Sequence, residues 1–118
     1  MYTVERIDPG KTALFVVDME NDFVAPGAPM ETPAGRAMLP QLTQALACCR
    51  AHGIPVIYTT HAHRPGGCDL GLLAHDPRIA QGDALVDGSP GVAIFPEIAP
   101  RDGEIVIAKH RFSAFYGT

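Results

Sequence analysis

The stretch Ala13-Leu14-Phe15-Val16-Val17 is apolar at successive positions and then breaks abruptly at Asp18. A strand with one wet face alternates apolar and polar residues, whereas an unbroken apolar run is expected of a strand covered on both faces of a parallel sheet. The residues that follow fit this reading. From Leu39, Pro40 suits a first helical turn, Leu42, Ala45, Leu46 and Cys49 recur at helical spacing, and Gly53 offers a C-terminal stop. The segment Ile54–Thr60 is then β-rich, with Pro55 at its start, where a missing N–H does least harm. Strand, helix and strand make a βαβ unit with a right-handed crossover. Glu104–Ala108 supplies a third short apolar strand, closed by Lys109. The fold class is α/β with a parallel sheet.

The chain has 118 residues, 47% of them hydrophobic, which suits one compact unit over residues 1–118. A formal charge of −4 leaves no basic excess for a phosphate backbone or an anionic membrane surface, so neither nucleic acid nor membrane is an expected partner. Residues Met1–Gly10 include Glu5, Arg6 and Asp8 and hold no uninterrupted apolar stretch, so a cytoplasmic location is expected. Cys48 and Cys49 are adjacent and Cys68 stands alone, which makes neither a disulfide framework nor a pair of metal knuckles and fits reduced thiols. Between Thr60 and Glu104 the chain is rich in Pro and Gly and weakly periodic, so it reads mainly as irregular chain over the sheet edge.

Two charged residues follow apolar strands directly. Asp18 and Lys109 are both placed at carboxyl ends of strands, the edge where open α/β sheets bind ligands. An ion pair there holds a carboxylate ready to take a proton from a neighbouring thiol or water; the plainer reading is a structural salt bridge at the sheet rim. Asp22 suits a cap of the turn after the first strand through its own backbone, and Phe23 is either pocket wall or ordinary core. His61 and His63, two apart after a strand, can both reach one metal, but solvated or substrate-facing loop positions are expected instead. Arg64 and Arg111 carry planar donors that pair with carboxylates, or are surface charges. Ser113 and Thr118 suit hydroxyls that bond to nearby backbone.

Four stretches, in order, carry a family resemblance. ALFVVDMENDF (Ala13–Phe23), PVIYTTHAHRPGG (Pro55–Gly67), Pro90-Gly91 followed by Phe95-Pro96-Glu97-Ile98-Ala99-Pro100, and KHRFSAFYGT (Lys109–Thr118) resemble blocks of the isochorismatase-like cysteine hydrolases. The likeness covers essentially the whole chain and implies a Rossmann-like parallel sheet flanked by helices, of which residues 1–118 form the N-terminal part and the C-terminal part is absent. It implies an Asp-Lys-Cys triad, with Asp18 as proton acceptor and Lys109 as cation. The nucleophile of such proteins lies on a later strand-to-helix turn, and Cys48, Cys49 and Cys68 do not match that position.

The resemblance also implies an amidohydrolase acting on a small amide, carbamoyl or ureido compound through a covalent acyl-enzyme in the complete protein. Vinyl-ether hydrolysis of the isochorismatase type, or a non-catalytic α/β interaction subunit, are the alternatives. Phe23 and Arg111 are the expected substrate-binding residues, Arg111 preferred to Arg64 because it lies in a matching block, with an intersubunit salt bridge as its rival. Metal-binding nicotinamidases resemble Asp-x-His where this chain has Thr59 and His61, so no metal is expected; a bound one would need Asp69 or His75 as further ligands. No cofactor is implied, and a homo-oligomer is, with Pro65–Pro100 as a contact. Residues 1–118 alone are expected to be hydrolytically silent and poorly stable, with Leu14 and Val16 left without neighbours.

Overall fold

A computed structural model describes residues 4–80 and 82–118, so Met1–Thr3 of the stretch read as lacking a leader lie outside the described residues. Three strands, β1 (Leu14–Val17), β2 (Val56–His61) and β3 (Ile105–Lys109), form one sheet in the order β1-β2-β3. All are parallel: Val16 pairs with Tyr58, Tyr58 with Val106, and His61 with Lys109. Between β1 and β2 run helices α1 (Asn21–Val24), α2 (Pro33–Ala37) and α3 (Leu39–Ala51). Pro40 lies in the first turn of α3, where its missing N–H has no helical partner to lose, and Gly53 follows the helix at a φ of 67°, a left-handed conformation open to glycine.

Side chains alternate across a strand, so Leu14, Val16, Val56 and Tyr58 share one face of the sheet. That face meets Leu39, Leu42 and Leu46 of α3, with Val24 and Ile98 closing the core. The spacing Leu39, Leu42, Leu46 is what places all three on one helical stripe. A charged brace locks the same layer at its other end. The Arg50 guanidinium donates from Nε to Glu104 Oε1 at 2.7 Å and from Nη2 to Oε2 at 2.8 Å, and Nη2 also reaches the Tyr58 hydroxyl. This two-pronged pairing holds the Glu104 carboxyl below its usual range.

The opposite face differs from expectation. Phe15, Val17 and Ile105 are exposed, whereas Val16 is 2% exposed. The residues of β1 left uncovered are therefore Phe15 and Val17, not Leu14 and Val16, because α3 packs on the face that Val16 occupies.

The segment between β2 and β3 is also more ordered than its Pro and Gly content suggests. It holds α4 (Pro77–Ala80) and short 3-10 turns at Gly71–His75, Pro90–Val92 and Pro96–Ile98. Ile79, Ala84 and Leu85 form a second apolar cluster that Phe23, Met30, Leu70 and Leu73 extend. Single bridges tie the segment back to the sheet edge, Glu20 to Ile94 and His63 to Val86. Among the described residues no helix is long and apolar enough to cross a membrane.

Candidate functional site

Asp18 is the first residue past β1, and its φ of 54° turns the chain sharply at the carboxyl edge of the sheet. Left-handed backbone is unfavourable for most residues with a Cβ, but Asp tolerates it, and here the Asp18 N–H is held by the Thr59 carbonyl at 3.1 Å. Its carboxylate then receives two donors. Thr59 Oγ1 donates to Oδ1 at 2.7 Å, and Lys109 Nζ donates to Oδ2 at 2.7 Å. The lysine side chain is 3% exposed and the aspartate 25%, so the ammonium is sealed while the carboxylate keeps an open side.

Asp18 and Lys109 thus meet as their positions after apolar strands suggested, but they do not come from neighbouring strands. β2 lies between β1 and β3, and the long lysine reaches across its end to Asp18. Thr59, on that middle strand, joins the pair through its hydroxyl. By alternation Thr59, Lys109 and Val17 project from the face that α3 leaves uncovered.

Other expectations need correction. Asp22 does not cap its own turn: its Oδ2 accepts the distant Leu85 N–H at 2.6 Å. Gly91 packs so closely on that carboxylate that a Cβ there would overlap it. His61 and His63 are buried rather than solvated, and His61 is the last residue of β2 rather than a loop residue, though its side of the strand lines a cavity. The His63 ring sets Nε2 against the Ala84 carbonyl at 2.8 Å and Nδ1 against the Arg64 carbonyl at 3.1 Å, so both nitrogens are engaged by backbone. The His61 ring meets Phe112 edge-on, centroids 5.8 Å apart, and burial, followed by the Lys109 charge, keeps its pKa below the usual value. Among the described residues no group of three or more His, Cys, Asp and Glu is arranged to hold a metal.

Phe23 is both wall and core, packing on each apolar cluster and lining a hollow beside Asp18. Arg111 lines a cavity of about 330 Å³ with His61, Leu72, His110 and Phe112, its Nη1 anchored on the Asp69 and His110 carbonyls at 2.7 Å. Arg64 contributes its backbone N–H to Asp69. Ser113 Oγ accepts the Phe115 N–H, and the Thr118 hydroxyl donates to the Ala114 carbonyl, both local backbone bonds. Cys48 and Cys49 lie near the C-terminal end of α3, which by its crossover is the amino-terminal edge of the sheet, away from the Asp18–Lys109 pair.

One residue escaped the sequence reading altogether. Glu20 is wholly buried, with Oε1 accepting the His61 N–H at 2.6 Å and Oε2 unpartnered among the described residues. Burial pushes its pKa up to about 8. An acid two places beyond another acid looks like part of a solvated turn, and only tertiary burial distinguishes it.

Comparisons with known proteins bear on the fold and the family. The model of the isochorismatase domain matches residues 12–118. The chain is 35% identical to N-carbamoylsarcosine amidase from Arthrobacter sp over 114 residues, 92% of this chain and 42% of that protein. It is 32% identical to maleamate amidohydrolase from Pseudomonas putida, covering 97% of this chain and 54% of the relative. Among solved structures, an isochorismatase family protein from Desulfovibrio vulgaris superposes with a TM-score of 0.79 at 39% identity, covering 90% of this chain and 56% of that one. A cysteine hydrolase from Pseudomonas syringae pv. phaseolicola superposes at 0.84 with 28% identity, covering 94% and 52%. The chain spans about half the length of the curated relatives it matches. With the family model matching from residue 12 to residue 118 and the parallel sheet shared with these structures, the chain belongs to the isochorismatase family.

Proposed function

We propose that these residues supply the Asp–Lys part of a thiol-dependent amidohydrolase site, whose attacking cysteine comes from outside residues 1–118. The observation that carries the reading is the sealed Lys109 ammonium bonded to a half-open Asp18 carboxylate at the ligand-binding edge of a parallel sheet. A fixed ammonium beside a thiol favours the thiolate, and the carboxylate accepts the displaced proton. The thiolate attacks the carbonyl carbon of a small amide, carbamoyl or ureido compound. The C–N bond breaks, the amine leaves with the proton held by Asp18, and water then cleaves the thioester to return the thiol and release the acid.

Similarity to two amidohydrolases supports the reaction class. In this reading Arg111, which lines the cavity with His61, pairs with a carboxylate carried by such a substrate, and Phe23 walls the hollow beside Asp18. Assembly into a homo-oligomer through Pro65–Pro100 is part of the same proposal, and sedimentation of the complete protein reads it.

The direct test is hydrolysis of N-carbamoyl amino acids, half-amides of dicarboxylic acids and ureido acids by the complete protein. Asp18→Asn and Lys109→Met should each lower kcat/KM by roughly 10²- to 10⁴-fold, while Arg111→Ala should act mainly on KM. Full turnover in Asp18→Asn would remove the proposed proton acceptor. Cleavage of an enol ether with every amide untouched would redirect the reading to vinyl-ether chemistry.

A further inference from the structure

Three carboxylates, Asp18, Glu20 and Asp22, alternate along the turn that leaves β1, and they do not share the available donors equally. Asp18 takes the Lys109 ammonium and the Thr59 hydroxyl. Asp22 takes the Leu85 N–H. Glu20, the most completely buried of the three, takes one backbone N–H on Oε1, while Oε2 is sealed from solvent without a partner among the described residues. An ionised carboxylate in such a place would carry a full charge on an oxygen that nothing solvates. The acid form places its proton on the orphaned oxygen and keeps the other as an acceptor for His61.

We propose that Glu20 is a positioning residue held as a neutral carboxylic acid, fixing the end of β2 through the His61 N–H and leaving Asp18 as the one carboxylate paired with Lys109. The charged groups that act on it are Asp18, Lys109 and Asp22, and its one donor is the His61 backbone N–H. Two of these are carboxylates, and like charges at close range cannot both ionise cheaply. The sealed Oε2 without a partner among the described residues sets Glu20 apart from both neighbours as the acid that keeps its proton, and burial raising its pKa to about 8 agrees with that choice. Ionisation of Glu20 would set a second negative charge near Lys109. Resting on the amidohydrolase reading, this would weaken the ammonium's support of a thiolate and cut activity on the alkaline side.

The experiment reads the acid directly. Thr60-His61 is the one Thr-His pair in residues 1–118, so labelling Thr carbonyls with ¹³C and His amides with ¹⁵N in the complete protein picks out the His61 amide, assigned by its loss in Thr60→Val. Its proton should move downfield as Glu20 ionises, with a midpoint near pH 8, well above the titration of the His61 ring. In Glu20→Gln, which keeps an acceptor for the same N–H, that transition should vanish and the alkaline fall in kcat/KM should flatten. A His61 midpoint in the ordinary carboxylate range would overturn the proposal, as would a transition near pH 8 that persists in Glu20→Gln. The wild-type titration stands on its own if the variant does not fold. A protein that shows the titration yet hydrolyses no amide would sink the functional reading and leave the neutral acid in place.

Discussion

At the residue scale the Asp18–Lys109 pair is asymmetric, and the asymmetry predicts which partner the fold needs more. Removing Asp18 leaves an ammonium that is 3% exposed without its counter-charge, whereas removing Lys109 leaves a carboxylate that still has Thr59 and an open side. Breaking a buried pair from the sealed end costs about 3–5 kcal/mol. Asp18→Ala should therefore lose stability on that scale in denaturant unfolding, and Lys109→Met should lose on the order of 1 kcal/mol, nearer to an exposed pair. Equal losses would show that the two ends are equally solvated. The pair was legible in the sequence because both members follow apolar strands, and strand ends are where such sheets gather ligands. Thr59 and Glu20 were not. A Thr inside a β-rich run has an ordinary strand role, and the burial of Glu20 depends on the His61 N–H, 41 residues away, which no local pattern reveals.

At the scale of elements the same division recurs. β1, α3, β2 and β3 were legible because their signals are periodic and local, and their observed bounds shift by only a residue or two. The chain from Leu85 to Phe95 was not, since distant bonds hold it: Asn21 Nδ2 donates to the Pro90 carbonyl, the Phe95 N–H to the Met19 carbonyl, and Leu85, at a φ of 58°, donates its N–H to the Asp22 carboxylate. Left-handed backbone at a leucine is strained and persists only where surrounding bonds over-determine it. Gly91 is the hinge of this arrangement, because the Asp22 carboxylate occupies the space a side chain would need. Gly91→Ala should push Asp22 from Leu85 and destabilise the protein by roughly 1–3 kcal/mol. Limited proteolysis should then cut first within residues 82–91, and a wild-type cleavage pattern would show that Asp22 can yield without releasing the segment.

At the scale of the whole molecule, the sheet is covered on one face, while on the other Thr59, His61 and Lys109 are buried but Phe15, Val17 and Ile105 are left exposed. Phe15 is 48% exposed, Val17 57% and Ile105 54%, and the outer edge of β1 carries no partner strand among the described residues. An unpaired edge beside an apolar face is a template for pairing with another chain. The unbroken apolar run that first marked β1 as doubly buried thus anticipates a neighbour for Phe15 and Val17 that these residues do not themselves supply. Expressed alone, residues 1–118 should associate, and sedimentation velocity should show species heavier than one chain whose share grows with concentration. A charge on the exposed part of that face resists such pairing, so Phe15→Lys together with Val17→Lys should return the chain toward monomer without disturbing Val16, Leu42 and Leu46 on the far side of the sheet. A wild-type chain of residues 1–118 that remains monomeric at high concentration and unfolds cooperatively would show that exposed Phe15, Val17 and Ile105 are tolerated without a further covering layer.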